Sequence, residues 1–162
     1  MSRRFPTRRR AVLAMLGATA VVRPAPGFAA RATAGRDAVV EMVDAAAAAL
    51  ARDGFPRALS RSDQAIWSRP DARLYVFLMD PSGTLLLHPD KRAEGRNVIN
   101  TADVRGRFFI REIIAACAGH PDGVWTSYVW PSGTTGKLGT KHTYSRQVGK
   151  VIVSAGYVAA DV

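Results

Sequence analysis

LYVFLMDPSGTLLLHP, residues 74–89, is the stretch on which the fold turns. Leu74–Met79 is a short run of aliphatic and aromatic residues, the composition of a buried strand. Asp80-Pro81-Ser82-Gly83 then forms a turn, because proline sets the first bend and glycine accepts positive φ. Thr84–His88 returns as a second strand, and the pair reads as a β-hairpin closed by His88-Pro89.

Beyond the hairpin, residues 89–101 are polar and loop-like, and Asp103 is placed to cap a helix. Phe109, Ile110, Ile113, Ile114 and Cys117 make one apolar stripe on that helix, which Gly119–Gly123 ends. Three strands follow, at Val124–Trp130, about Leu138–Gln147 and Val151–Ala159. A turn over Pro131–Gly136 joins the first two, and Gly149-Lys150 is a tight hairpin turn between the last two. Working backwards, Arg36–Arg52 reads as a helix, with Val39, Met42, Val43, Ala46 and Leu50 at helical spacing. Gly54 and Pro56 end it, and a short helix is expected at residues 57–67. The order α, α, β, β, α, β, β, β describes an α+β domain with one antiparallel sheet, a long N-terminal helix and a crossover helix.

The front of the chain has another character. Residues 1–30 hold six of the 23 basic residues and none of the 13 acidic ones. An apolar run from Ala11 to Val22 follows the arginines, and small residues surround Ala29, Ala30 and Ala32. A basic head, a short apolar stretch and a small-residue exit describe a cleavable export signal. Thr7-Arg8-Arg9-Arg10-Ala11-Val12-Leu13 resembles a twin-arginine signal, an address read by a receptor. Residues 31–36 then read as a tail and residues 37–162 as one domain, ending directly after the last strand. That describes a soluble periplasmic protein.

Charge must be counted accordingly. The whole chain carries +10, but without residues 1–30 it has 17 basic and 13 acidic residues, or +4. The balance is mildly basic, favours anionic small ligands and carries no nucleic-acid signature. Cys117, the one cysteine, excludes an internal disulfide and reads as a small buried residue. His88, His120 and His142 are far apart without acids or cysteine at ligand spacing, so no metal is expected. Gly133–Leu138 lacks the spacing of a phosphate loop, and no nucleophile elbow or other catalytic constellation is visible, so neither an enzyme nor a cofactor is expected.

The ordered series His88-Pro89, Gly95-Arg96-Asn97, Asp103-x-x-Gly106-Arg107-Phe108, Gly123-x-Trp125-x-x-Tyr128-x-Trp130, Thr135-Gly136-Lys137, Lys141-x-x-Tyr144 and Gly156-Tyr157 resembles the single Cache sensor domain of the second type. The resemblance spans about residues 37–159. It implies a PAS-like extracytoplasmic fold with an antiparallel sheet of five or six strands. It also implies the sensing role such domains play in chemoreceptors and histidine kinases, where short carboxylates such as acetate, propionate or pyruvate are common ligands.

A small carboxylate needs a cation or several donors and an apolar wall for its tail. The candidate ligand-binding residues are His88, Tyr128, Trp130, Lys141 and Tyr144. Lys141 supplies the charge, and the others supply oriented donors or rigid rings. His88 and Trp130 also suit structural roles, at a strand end and in the core. Tyr128 and Trp130 share one face of a regular strand, and Trp125 points the other way. Lys141 and Tyr144 differ by an odd step, so either a bulge intervenes or one of them is structural. The expected partners are a small organic anion, a membrane sensor kinase, chemoreceptor or transporter, and a second copy of the chain through the N-terminal helix. The competing reading is a structural or protein-interaction module with a vestigial pocket.

Overall fold

The structure, a computed structural model, describes residues 26–70, 73–132 and 136–159. Most of the export segment therefore lies outside the described residues, as does the middle of the Pro131–Gly136 turn. Helix α1 spans Pro26–Asp53. It begins inside the stretch assigned to the export segment and runs through the expected tail, because that alanine-rich sequence favours continuing the helix. Val39, Met42, Val43, Ala46 and Leu50, together with Ala47 and Ala49, are buried. Gly54, at φ 70°, ends the helix with its N–H on the Leu50 carbonyl at 2.8 Å, as a left-handed C-terminal cap does.

One helix was expected over residues 57–67, and two form: α2 at Arg57–Arg61 and α3 at Gln64–Trp67. The break comes at Asp63, whose carboxylate accepts the Ala65 N–H at 3.0 Å and starts a new helix. Strand β1, Ser68–Arg69, follows. Then come β2 (Leu74–Met79), β3 (Leu85–Leu87), α4 (Phe109–Gly119), β4 (Val124–Pro131), β5 (Leu138–Val148) and β6 (Val151–Ala159). The six strands form one antiparallel sheet in the order β1-β2-β6-β5-β4, with β3 also paired to β2.

The expected turns hold for the expected reasons. Asp80 accepts the Ser82 and Thr84 N–H groups at 2.8 and 3.0 Å, and Gly83 takes φ 86°. Val148 and Val151 pair across a two-residue turn whose first residue, Gly149, has φ 56°, where such hairpins place glycine.

Asp103 does not cap α4. Gly106 takes φ 77° and turns the chain away from a helix, and α4 starts at Phe109 without a side-chain cap. Asp103 instead accepts the N–H groups of Arg105 (2.8 Å), Arg107 (3.0 Å) and Val129 (3.1 Å). It thereby closes its own loop and ties it to β4. Burial pushes the carboxyl pKa up, but the backbone donors and the Arg107 guanidinium outweigh this, and the net direction is down.

Strand alternation sorts side chains into two layers. Leu74, Val76, Leu78, Val153 and Ala155 pack with α1 on one face. Phe77, Met79, Ile152 and Tyr128 pack with Phe109, Ile110 and Ile113 of the crossover helix on the other. The second layer is incomplete, and its gap is the candidate site.

Candidate functional site

Between the sheet and the α4 side lies a cavity of about 210 Å³. At about 30 Å³ per water it holds roughly seven waters, or an organic molecule with a similar number of heavy atoms. Phe77, Leu85, Val98, Phe109 and Ile110 make its apolar wall. The polar groups on it come from Tyr75, His88, Thr101, Tyr128, Trp130 and Lys141.

Lys141 is 5% exposed, which is rare for an ammonium. Its Nζ donates to the Tyr75 hydroxyl at 3.2 Å and lies 5.0, 5.7 and 5.8 Å from the rings of Tyr75, Phe77 and Trp130. Among the described residues no carboxylate pairs with it. Burial works against the charge, but the phenol oxygens of Tyr128 and Tyr75 outweigh it, so the pKa is raised and the group stays cationic. The aromatic faces add cation–π attraction. An anion entering the cavity would give this ammonium the oppositely charged partner that it lacks among the described residues.

The regular β4–β5 register places Tyr128 directly opposite Lys141. The Tyr128 ring stacks on Phe109 with centroids 4.0 Å apart, and its hydroxyl accepts from Thr143 at 3.2 Å. Trp130 shares that face and meets Phe109 and Tyr128 edge-on, with centroids 5.5 and 5.9 Å away. His88 stands against the Tyr75 ring, 5.8 Å between centroids. Its Nδ1 lies 3.1 Å from the Asp90 N–H and 3.4 Å from the Asp90 carbonyl oxygen, and the tautomer decides which of the two it bonds. Burial pulls the His88 pKa down; a backbone bond at Asp90 opposes this and the Lys141 charge adds to it.

His88, Tyr128, Trp130 and Lys141 are therefore brought together. Tyr144 is not. No bulge interrupts β5, and Tyr144 pairs with Trp125 on the α1 face. Its hydroxyl donates to the Asp122 carbonyl at 2.7 Å, and its ring lies 5.3 Å from that of Trp125. Of the two alternatives left by the odd step, the second holds: Lys141 faces the cavity and Tyr144 is structural. Trp125 points away as alternation requires, under the Arg36 guanidinium at 4.1 Å.

Tyr75, Phe77, Phe109 and Thr101 line the cavity but were not singled out in the sequence. Tyr75 carried a signal, as the one hydroxyl in the apolar β2 run, at an even step from Phe77. Thr101 carried none, because its position depends on the path of the 89–108 loop.

A second, larger cavity of about 630 Å³ adjoins the first, and both are lined by Tyr75, Trp130 and Lys141. Among the described residues, no cluster of His, Cys, Asp or Glu could hold a metal ion, and no helix is long and apolar enough to cross a membrane.

The family model described as Single Cache domain 2 matches residues 35–162. A periplasmic sensor domain of a chemotaxis protein superposes with TM-score 0.61 at 20% identity, covering 85% of this chain and 100% of that one. A methyl-accepting chemotaxis protein from Vibrio parahaemolyticus RIMD 2210633 gives 0.62 at 20% identity, covering 83% and 95%. A Cache chemosensory domain described for its carboxylic acid recognition gives 0.60 at 18% identity, covering 85% and 100%. At these identities the likeness is one of fold. No curated protein sequence matches the chain.

Proposed function

This chain belongs to the single Cache domain 2 family of extracytoplasmic small-ligand sensor domains, and we propose that it binds a short-chain carboxylate in the periplasm and passes that event to a membrane partner. The observation that carries the reading is Lys141, a buried cation without a carboxylate partner among the described residues, at the wall of a small apolar cavity. A carboxylate there neutralises the ammonium and takes further hydrogen bonds from Tyr75 and His88. Its short tail faces Phe77, Phe109 and Ile110. Tyr128 and Trp130 hold the wall rigid.

Thermal denaturation of the purified protein with acetate, propionate, butyrate and pyruvate tests this. A ligand at about 100 times its Kd stabilises by about 2.7 kcal/mol, a shift of several degrees for a domain of this size. A shift that disappears in Lys141→Met is expected. A well-folded protein that none of these acids stabilises would refute the reading.

Three further parts of the proposal rest on other features. Export, by the twin-arginine route, rests on the arginine-rich head of residues 1–30. Cleavage after Ala29, Ala30 or Ala32 leaves the buried residues from Val39 to Leu50 of α1 in the mature chain. N-terminal sequencing of periplasmic material checks this. Pairing of two copies through α1 would use its outer side, where Asp37, Glu41 and Arg52 are exposed, so the contact would be polar and salt-sensitive. A sensor kinase, chemoreceptor or transporter is the partner class that suits a periplasmic binding domain, and cross-linking in intact cells with and without the acid identifies which.

A further inference from the structure

His88 and Lys141 line the same small cavity, and the backbone at Asp90 gives the imidazole a partner in either protonation state. The His88 Nδ1 lies 3.1 Å from the Asp90 N–H and 3.4 Å from the Asp90 carbonyl oxygen. A bare Nδ1 accepts from the first and a protonated Nδ1 donates to the second, so a proton can join the ring with little rearrangement. The charged groups around the ring pull in both directions. On the sheet side the cavity is lined by Lys141, with Tyr75 and Tyr128 as further titratable groups. Phe109 and Ile110, from α4, bring no charge. On the loop, the Asp90 carboxylate is held by the Arg92 guanidinium at 3.1 and 3.2 Å. The Glu94 carboxylate is held by Lys91 at 2.8 Å and by the His88 backbone N–H at 3.0 Å. Burial, foremost, and the Lys141 charge favour the neutral ring, against the pull of Asp90 and Glu94.

Taking the carboxylate on Lys141 from the function proposed above, we propose that the site takes up one proton from solvent together with the anion, and that His88 holds it. A carboxylate between Lys141 and His88 reverses the balance at the ring. It neutralises the ammonium that repels an imidazolium, and it gains a second cationic donor once His88 is charged. Anion and proton therefore favour each other, and the coupling is reciprocal. Carboxylate and proton together have the composition of the undissociated acid, so occupancy follows the product of their two concentrations. A sensor built this way reports acid load and not carboxylate alone. His88 titrates higher in the complex than in the free protein. Between the two midpoints affinity rises as pH falls, by up to about tenfold per pH unit for one proton.

Calorimetric titration of the purified protein with propionate between about pH 6 and pH 7.5, in Bis-Tris and in PIPES, tests this. Propionate stays ionised over this range. The two buffers release different heats on giving up a proton, so the difference in measured heat counts the protons taken up. About half a proton or more per ligand is expected near pH 6.5, with a Kd that rises several-fold towards pH 7.5. His88→Gln keeps a donor but cannot titrate, and its Kd is expected to be independent of pH with no proton taken up. In the wild type, NMR titration of the His88 ring is expected to show a midpoint about one pH unit or more higher at saturating propionate. Binding that depends on Lys141 but carries no proton overturns the coupling and leaves the carboxylate reading standing. Uptake that survives His88→Gln also overturns it, since entry of the undissociated acid would give that result. If the variant does not fold or bind, the NMR midpoint decides, and one that propionate leaves unmoved overturns the coupling. Absence of binding at every pH overturns both readings.

Discussion

Lys141 and Tyr144 lie three residues apart on one regular strand and on opposite faces of the sheet. Each is paired across β4 with an aromatic residue, Lys141 with Tyr128 and Tyr144 with Trp125. Two similar cross-strand pairs thus do different work. One leaves a charge facing a cavity, and the other anchors β5 against α1.

Replacing Lys141 by Met separates stability from binding. The ammonium is almost wholly buried and has only phenols and aromatic faces for company. Methionine keeps much of the volume and removes the burial cost of the charge together with its attraction to Tyr75 and the aromatic faces, two effects of opposite sign. The unliganded variant is expected to melt near the wild-type temperature while losing every carboxylate-induced shift. Urea denaturation with and without propionate measures both. A marked drop in unliganded stability would show that Lys141 holds the fold together.

Tyr128→Phe and Tyr144→Phe should diverge. Tyr128→Phe removes a phenol oxygen beside Lys141 and leaves Thr143 without its acceptor, so ligand affinity is expected to fall several-fold. Tyr144→Phe removes the bond to the Asp122 carbonyl and costs about 1 kcal/mol in stability. Its ligand affinity is expected to match wild type, because the ring lies on the α1 face. Kd values and unfolding curves for the two variants distinguish these outcomes. Equal losses of affinity would contradict the two-face arrangement.

Much of this could be read from the sequence because strand alternation and turn chemistry are local. The hairpin at Asp80–Gly83, the buried stripe of α1 and the shared face of Tyr128 and Trp130 all follow from spacing alone. Asp103 was misread because an acid ahead of an apolar helical stripe has the signature of a cap. What diverts it is Gly106 in the left-handed region, together with the N–H of Val129 from a strand far along the chain. The odd step from Lys141 to Tyr144 told that one of them could leave the pocket but not which, since that depends on the register with β4. The wall shared by two cavities joins β2, β4 and β5, and no spacing within one segment encodes it.

Gly123→Ala probes how β4 enters the sheet. Gly123 has φ 106°, and a Cβ there would come within 2.1 Å of the Tyr144 hydroxyl oxygen and 2.4 Å of its ring carbon. The left-handed cost is about 1–2 kcal/mol, and overpacking adds about 1–3 kcal/mol. A loss of about 2–5 kcal/mol is expected in denaturant midpoints, with the sheet loosened around Tyr144. A change under about 0.5 kcal/mol would mean that Tyr144 moves freely, against its anchored role.

Acidification tests the two half-buried histidines, His88 and His142. Burial lowers the pKa of both His88 and His142, and the charges of Lys141 and Arg36 respectively push the same way. Their folded values therefore lie below the unfolded value of about 6.5. Between the two, the unfolded chain binds more protons, so stability rises with pH across this window and is lost as pH falls below about 6.5. His88→Gln is expected to flatten part of the slope, and His142→Gln another part. A stability profile with no slope from pH 7 down to pH 5 would contradict the lowered values.

Asp103→Asn tests the link between the 103–107 loop and β4. The carboxylate accepts three backbone N–H groups, whereas an amide offers one acceptor oxygen and turns an NH₂ toward a remaining donor. The variant is expected to be clearly less stable at pH 7. The sign with pH is fixed by the lowered carboxyl pKa. An acid whose folded pKa lies below its unfolded one contributes its stability above the unfolded value of about 3.9 and loses it as pH falls through the folded value. The gap between wild type and variant should therefore be full at neutral pH and close as the solution becomes strongly acidic. Paired denaturation curves from pH 7 to pH 3 measure that closing. A gap that stays constant over the range would mean that Asp103 acts through its shape and not its charge.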